Sequence, residues 1–260
     1  MAEIKLKHGF ALALLVYLGA CHAYDNNYKF ADGLLPGTSG QPLQTELDPP
    51  TGKQACCRGP YCWEFTPLFN YEITGLVFGV SHKFASKFGD VIAADVGLLW
   101  GENAEKKLYK DVKLRVMVDH YYARWGSGAS FNLHDAANTH TAACDPAAMK
   151  KIKTLKTGDQ ARLRGWLVNA RITKEPGETD PAKIMTWNSS VIRQDSGEGA
   201  CELLYVASAG DVQVLSEGPR LWLWLKWLGL AGMAVSGALW AAAFHRQARR
   251  EIAEAAKADF

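Results

Sequence analysis

The chain has 260 residues, with 29 Lys and Arg against 27 Asp and Glu, a formal net charge of +2, 48% hydrophobic residues and six cysteines. That is enough apolar material for one ordinary core and excludes a disordered or low-complexity chain. A balance so close to neutral also excludes a strongly basic polymer of the kind that coats phosphate backbones.

At the start, Lys5 and Lys7 precede a short apolar stretch at residues 9–20, the layout of a secretory signal. Cys21-His22-Ala23 offers a small-residue cleavage site. Leu18-Gly19-Ala20-Cys21 resembles the lipobox at which bacterial lipoproteins are cut and lipidated, with Cys21 as the acceptor. Residues 1–23 therefore read as a signal peptide or a signal anchor, with cleavage placed first, lipidation second and retention third. Residues 24–55 are rich in Gly, Pro, Ser, Thr, Asn and Asp, including Pro36-Gly37 and Pro49-Pro50. Such composition offsets little ordering entropy, so a Pro/Gly-rich linker is expected there.

Residues 56–216 are the size of one domain. Strands are predicted over 71–80 and 90–100, rich in β-branched and aromatic residues, and over 113–125, where Leu114, Val116 and Val118 alternate with Lys113, Arg115 and Asp119. A helix follows from the cap Asp145 and Pro146, through Met149, Ile152 and Leu155, to Gly158. Beyond it, residues 160–172 alternate Ala161, Leu163, Gly165 and Leu167 with Arg162, Arg164, Trp166 and Val168. Strands at 184–193, 201–207 and 211–215 complete the series, with a turn at 195–199.

The predicted fold is mainly β with one helix, a small twisted barrel or sandwich. The order of elements, with Leu155-Lys156-Thr157-Gly158-Asp159 entering a strand centred on Gly165, resembles an OB-fold over about residues 71–215. The stretch WNSSVIRQDSGEGACELLYV also resembles a group of bacterial membrane-tethered proteins of unknown function. That resemblance implies an OB-fold-like barrel domain and transfers no catalytic residue.

Residues 221–244 form an apolar run, long enough as a helix to cross a hydrocarbon core, and end in Arg246, Arg249 and Arg250. Lys226 is near its start among Trp222, Trp224 and Trp227, where an ammonium snorkels and tryptophans prefer the interface. Ala234, Ala238 and Ala242, with Gly232 and Ser236 on a neighbouring face, would let another helix approach, which makes a homo-oligomer through this span an expectation. Basic residues flank the two apolar segments on their outer sides. By the positive-inside rule the body between them belongs in the periplasm, with the span in the bacterial inner (cytoplasmic) membrane and residues 245–260 as a cytoplasmic tail, continuing the helix. Without residues 1–23 and 220–260 the body keeps 21 basic against 23 acidic side chains. Nucleic acid is thereby disfavoured as a partner.

Cysteines outside the cytoplasm tend to oxidise. The expected bridges are Cys57 with Cys62 and Cys144 with Cys201, with Cys56 able to replace Cys57. The spacing of Cys56, Cys57 and Cys62 does not match zinc, and no metal or cofactor is expected.

Gln194-Asp195-Ser196-Gly197 resembles the nucleophile loop of trypsin-like proteases and Thr141-Ala142-Ala143-Cys144 part of their histidine segment. The likeness fails because His140 precedes Thr141, where the segment needs a histidine between Ala143 and Cys144. HExxH, GxSxG, a P-loop and a dinucleotide fingerprint are absent. Two functions follow. The preferred one is a membrane-anchored binding or assembly module that contacts an envelope protein, with Tyr122, Arg164 and Trp166 as surface candidates. The alternative is an envelope hydrolase using His120, His134, Asp135 and His140.

Overall fold

The computed structural model describes residues 2–49, 51–83, 88, 90–118, 120–192 and 200–258, and its chain divides into two compact units. One comprises Met1–Lys29 and Pro219–Phe260, the other Phe30–Gly218.

In the first unit, α1 (Ala2–Asp25) and α4 (Leu221–Ala258) are both long and apolar enough to cross a membrane. Small side chains let them pack side by side. A Cβ on Gly229 would meet Tyr17 at 2.8 Å, one on Gly232 would meet Ala13 at 2.9 Å, and one on Gly9 would rest against Ser236 at 3.4 Å. These pairings run in opposite directions along the two helices, so the pair is antiparallel. At the far end Tyr28 meets Trp222 edge-on at 5.9 Å, and Lys226 lies over the Tyr24 ring. The apolar span 221–244 and the tail after it form one continuous helix to Ala258.

The second unit is a mainly β core. Its strands are β1 (Leu43–Thr45), β2 (Gln54–Arg58), β3 (Tyr61–Ser81), β4 (Ile92–Leu99), β5 (Val112–Val116), β6 (Tyr121–Trp125), β7 (Ala136–Ala142), β8 (Gln160–Thr173), β9 (Met185–Trp187), β10 (Leu203–Tyr205) and β11 (Val212–Ser216). Two short helices interrupt them, α2 (Gly101–Glu105) and α3 (Pro146–Ile152). Nine strands form one sheet in the order β1-β3-β4-β7-β10-β8-β11, with β2 on β3, β9 on β8 and a further pairing of β3 with β8. All its pairings are antiparallel except β7 with β10. β5 and β6 make a separate two-stranded ribbon.

The predicted alternation in β8 sorts its side chains between two cores. Ala161, Leu163 and Leu167 join Ile73, Val96, Leu98 and Leu204 in one cluster, whereas Val168, Ala170 and Ile172 join Trp63, Phe65 and Tyr205 in another. β3 carries the chain from the second cluster to the first, and its bulge between Pro67 and Phe69 accommodates the change of direction. Gly165 is required where it stands, because a Cβ there would run into the Tyr205 carbonyl oxygen of the neighbouring strand. Asp145 caps α3 by accepting from the N–H groups of Ala147 and Ala148, each at 3.1 Å.

Residues 24–55 are no free linker. α1 runs to Asp25, Phe30 and Thr38 are buried, and β1 and the start of β2 pair with β3. The reason is specific hydrogen bonding that composition does not display: Leu35 N and Thr38 Oγ1 both donate to Gln160 Oε1, at 2.6 and 2.9 Å, and Trp100 Nε1 donates to Gln41 Oε1 at 3.1 Å. The body accordingly begins at Phe30, not at residue 56. The strand predicted over 113–125 is a hairpin, since Met117 N donates to the His120 carbonyl at 2.8 Å and turns the chain. The helix predicted to reach Gly158 ends at Ile152, where the chain passes into turns.

The bridges are Cys57–Cys62, across the β2–β3 hairpin, and Cys56–Cys144. The latter replaces the expected Cys144–Cys201. β2 lies over the β7 end of the sheet and brings Cys56 to Cys144, with Cα atoms 5.8 Å apart, whereas Cys201 takes part in neither bridge.

Candidate functional site

The strands β4 and β7 pair along their whole lengths, and every residue of both is buried. Since neighbouring side chains in a strand point to opposite faces, burial of all of them means that both faces are covered. One face looks into the cluster of Val96, Leu98 and Leu163. The other carries Asp95 and His140, directly opposite in register, with Nδ1 of His140 2.5 Å from Oδ1 of Asp95.

The covering elements come from elsewhere in the chain. Trp187 of β9 stands edge-on to the His140 ring at 4.7 Å. Val116 of the ribbon and Phe78 of β3 fit against Gly97, where a Cβ would lie 2.5 Å from each. A row of rings continues from Trp187 through Phe88 and Trp63 to Phe65, at centroid spacings of 5.7 to 5.8 Å. Burial, with the charge of Glu202 second, pushes the Tyr121 hydroxyl up to about 12. The amide of Asn138 and the hydroxyl of Thr139 have no hydrogen-bond partner among the described residues. In this arrangement Asp95 and His140 form a buried hydrogen-bonded link between two strands.

The residues of the hydrolase alternative are not brought together. His120 lies at the exposed ribbon turn and His134 is exposed, whereas Asp135 is buried in a structural role. Its Oδ2 accepts from Glu102 N at 2.8 Å, at the start of α2, and from Asn132 Nδ2 at 2.9 Å, while Oδ1 accepts from Gln41 Nε2 at 3.0 Å. His140 is paired with the carboxylate of Asp95. That partner, Asp95, was not singled out from the sequence, although a carboxylate in the middle of an otherwise apolar strand was the available signal. Gln194-Asp195-Ser196-Gly197 lies outside the described residues.

The three surface candidates also separate. Arg164 and Trp166 belong to β8 in the main sheet. The Arg164 guanidinium is 2.8 Å from Glu72, and Trp166 stacks on Tyr205 at 5.9 Å. Tyr122 belongs to the ribbon and is 51% exposed. Cys21 lies within α1. A shallow cavity of about 260 Å³ adjoins the Cys56–Cys144 bridge, lined by Arg58, Asp90, Met149, Lys150 and Lys153. Arg58 there already donates to the Cys144 carbonyl at 2.8 Å.

The ribbon is the contrasting surface. Its inner side, Val112, Leu114, Val116, Tyr121 and Ala123, packs against Phe78, Leu99 and Tyr109. Its outer side presents Lys113, Arg115, Tyr122 and Arg124 to solvent. No family model, curated protein or solved structure matches this chain.

Proposed function

We propose that this protein is a membrane-anchored extracytoplasmic binding or assembly module of the cell envelope, built on an OB-fold-like barrel. Support for the barrel comes from the pairing circuit β3–β4–β7–β10–β8, which returns to β3. Its five strands include one parallel pair, β7 with β10, and α3 stands between the third and fourth strands in chain order, as in an OB-fold.

The observation that carries the binding reading is the contrast between closed and open surfaces. The β4–β7 ladder is covered on both faces and its Asp95–His140 pair is buried, whereas the ribbon keeps a polar-aromatic face open to a partner. Crosslinking of the full chain in intact cells, followed by pull-down, tests it. Discrete adducts carrying an envelope component are expected, and recovery of the chain solely as an isolated monomer overturns the reading.

In this reading α1 is retained as a second membrane helix. The antiparallel packing of Ala13 and Tyr17 on Gly229 and Gly232 supports it, as does burial of Ala20 and Ala23 beside the cleavage site. The positive-inside arrangement then puts both termini in the cytoplasm and the β unit in the periplasm. The Gly232 and Ser236 face of α4 is occupied by α1, so a homo-oligomer would use the face of Ala234, Ala238 and Ala242. Intact mass of the membrane-extracted protein should include residues 1–23, and a mature N-terminus at or just after Cys21 rejects retention.

A further inference from the structure

The outer face of the ribbon carries more positive charge than its fold requires. Lys113 stands directly across from Arg124, and Arg115 across from Tyr122, all of them exposed. Like charges directly opposite on a sheet destabilise it. Lys113, Arg115 and Arg124 have no ion-pair or hydrogen-bond partner among the described residues, unlike Lys106, Lys110 and Arg164 on neighbouring parts of the unit. The turn that closes the ribbon exposes Met117 and Val118, at 38% and 40%. Meanwhile the buried inner side fixes the outer face in place, with Val116 seated against Gly79 and Gly97.

We propose that this face docks on an anionic phospholipid surface. Lys113, Arg115 and Arg124 meet headgroup phosphates, Tyr122 sits at headgroup level, and Met117 and Val118 enter the apolar boundary. An acidic protein or a nucleic acid would match the cations but not the exposed Met117 and Val118 beside them. A bilayer is at hand because the chain carries two helices long and apolar enough to span one. The inference rests on the membrane-tether reading above. Three surface cations are together worth on the order of a hundredfold in membrane partitioning.

The test uses the full chain in lipid nanodiscs, with amide exchange read over residues 112–125. Exchange should be about tenfold slower in discs containing phosphatidylglycerol than in pure phosphatidylcholine discs, and the difference should disappear in high salt. It should also disappear in the triple variant Lys113→Glu, Arg115→Glu, Arg124→Glu, while exchange over 160–173 stays unchanged and shows that the sheet is intact. Equal exchange in both lipids, or a slowing that survives in the triple variant, overturns the inference. A chain that does not enter discs at all fails the tether reading and takes this inference with it.

Discussion

The β4–β7 ladder and the β5–β6 ribbon are both short antiparallel pairs from neighbouring parts of the chain, yet they end in opposite states. The ladder is covered on both faces and keeps Asp95 and His140 in a buried hydrogen-bonded link. The ribbon is covered on one face and exposes three cations on the other. What distinguishes them is what the rest of the chain lays over each. Trp187, Phe78 and the ribbon itself close the ladder, and no described residue closes the ribbon's outer side. Polar residues in the ladder are held by packing, and those in the ribbon are available to a partner.

The comparison is broken most severely by removing the clamp beside the ladder. Replacing Cys56 and Cys144 together by Ser deletes a crosslink of sequence separation 88. On loop entropy alone this should cost about 4 to 5 kcal/mol, measured by urea denaturation of the full chain in detergent with near-ultraviolet dichroism as the probe. A loss below about 1 kcal/mol would mean that β2 is held over the sheet without the bridge.

Overpacking the ladder comes next. Gly97→Val drives a side chain into Phe78 and Val116, which stand 2.5 Å from the position of a Cβ. A loss of about 2 kcal/mol is expected by the same measurement, with the ribbon displaced. Unchanged stability would show that ribbon and ladder are less tightly apposed than the Gly97 contact requires.

Tyr121 joins the two regions and gives a pH test. Its hydroxyl donates to the Leu133 carbonyl at 3.3 Å, and burial raises its pKa from 10.0 to about 12. The folded state then holds a proton that the unfolded state releases. The contribution is fully present below pH 10 and is lost as pH rises from about 10 to 12. After allowance for solvent screening of a partly exposed group, the loss is about 1 to 2 kcal/mol. Denaturation at pH 9, 10, 11 and 12 should show this decline in the wild type and a shallower one in Tyr121→Phe. Parallel profiles would place Tyr121 outside the seal.

The smallest effect is on the open side. Lys113→Glu converts a like-charge cross-strand pair with Arg124 into an attractive one and should raise stability by a few tenths of a kcal/mol. A loss above about 1 kcal/mol would mean that Lys113 has a structural role and that the face is not free for a partner.

Several elements were legible because their signals are local. The cap Asp145 with Pro146, the alternation of residues 160–167 and the uninterrupted apolar run 221–244 each state their structure within one or two turns or a single strand. The hairpin at 117–120 was missed because alternation continues across it, and periodicity alone does not register a reversal. The arm was misread because Thr38 and Gln41 are ordinary loop residues until Gln160, Trp100 and Asp135 are placed beside them. Of the site residues, Tyr122 was visible as an exposed aromatic in a basic strand. Asp95 and His140 are 45 positions apart, and their pairing depends on the register of β4 against β7.

The sequence by itself determined that the chain carries apolar segments at both ends, a mainly β body between them and cysteines suited to oxidation. Those properties follow from composition and from periods of two or 3.6 residues, which any short window contains. Tertiary structure alone decided that Cys144 joins Cys56, that the arm packs on the sheet, that β4 and β7 are sealed and that the ribbon stays open. Each depends on contacts between residues tens of positions apart, whose energies arise when the strands are in register and their faces are covered or left bare.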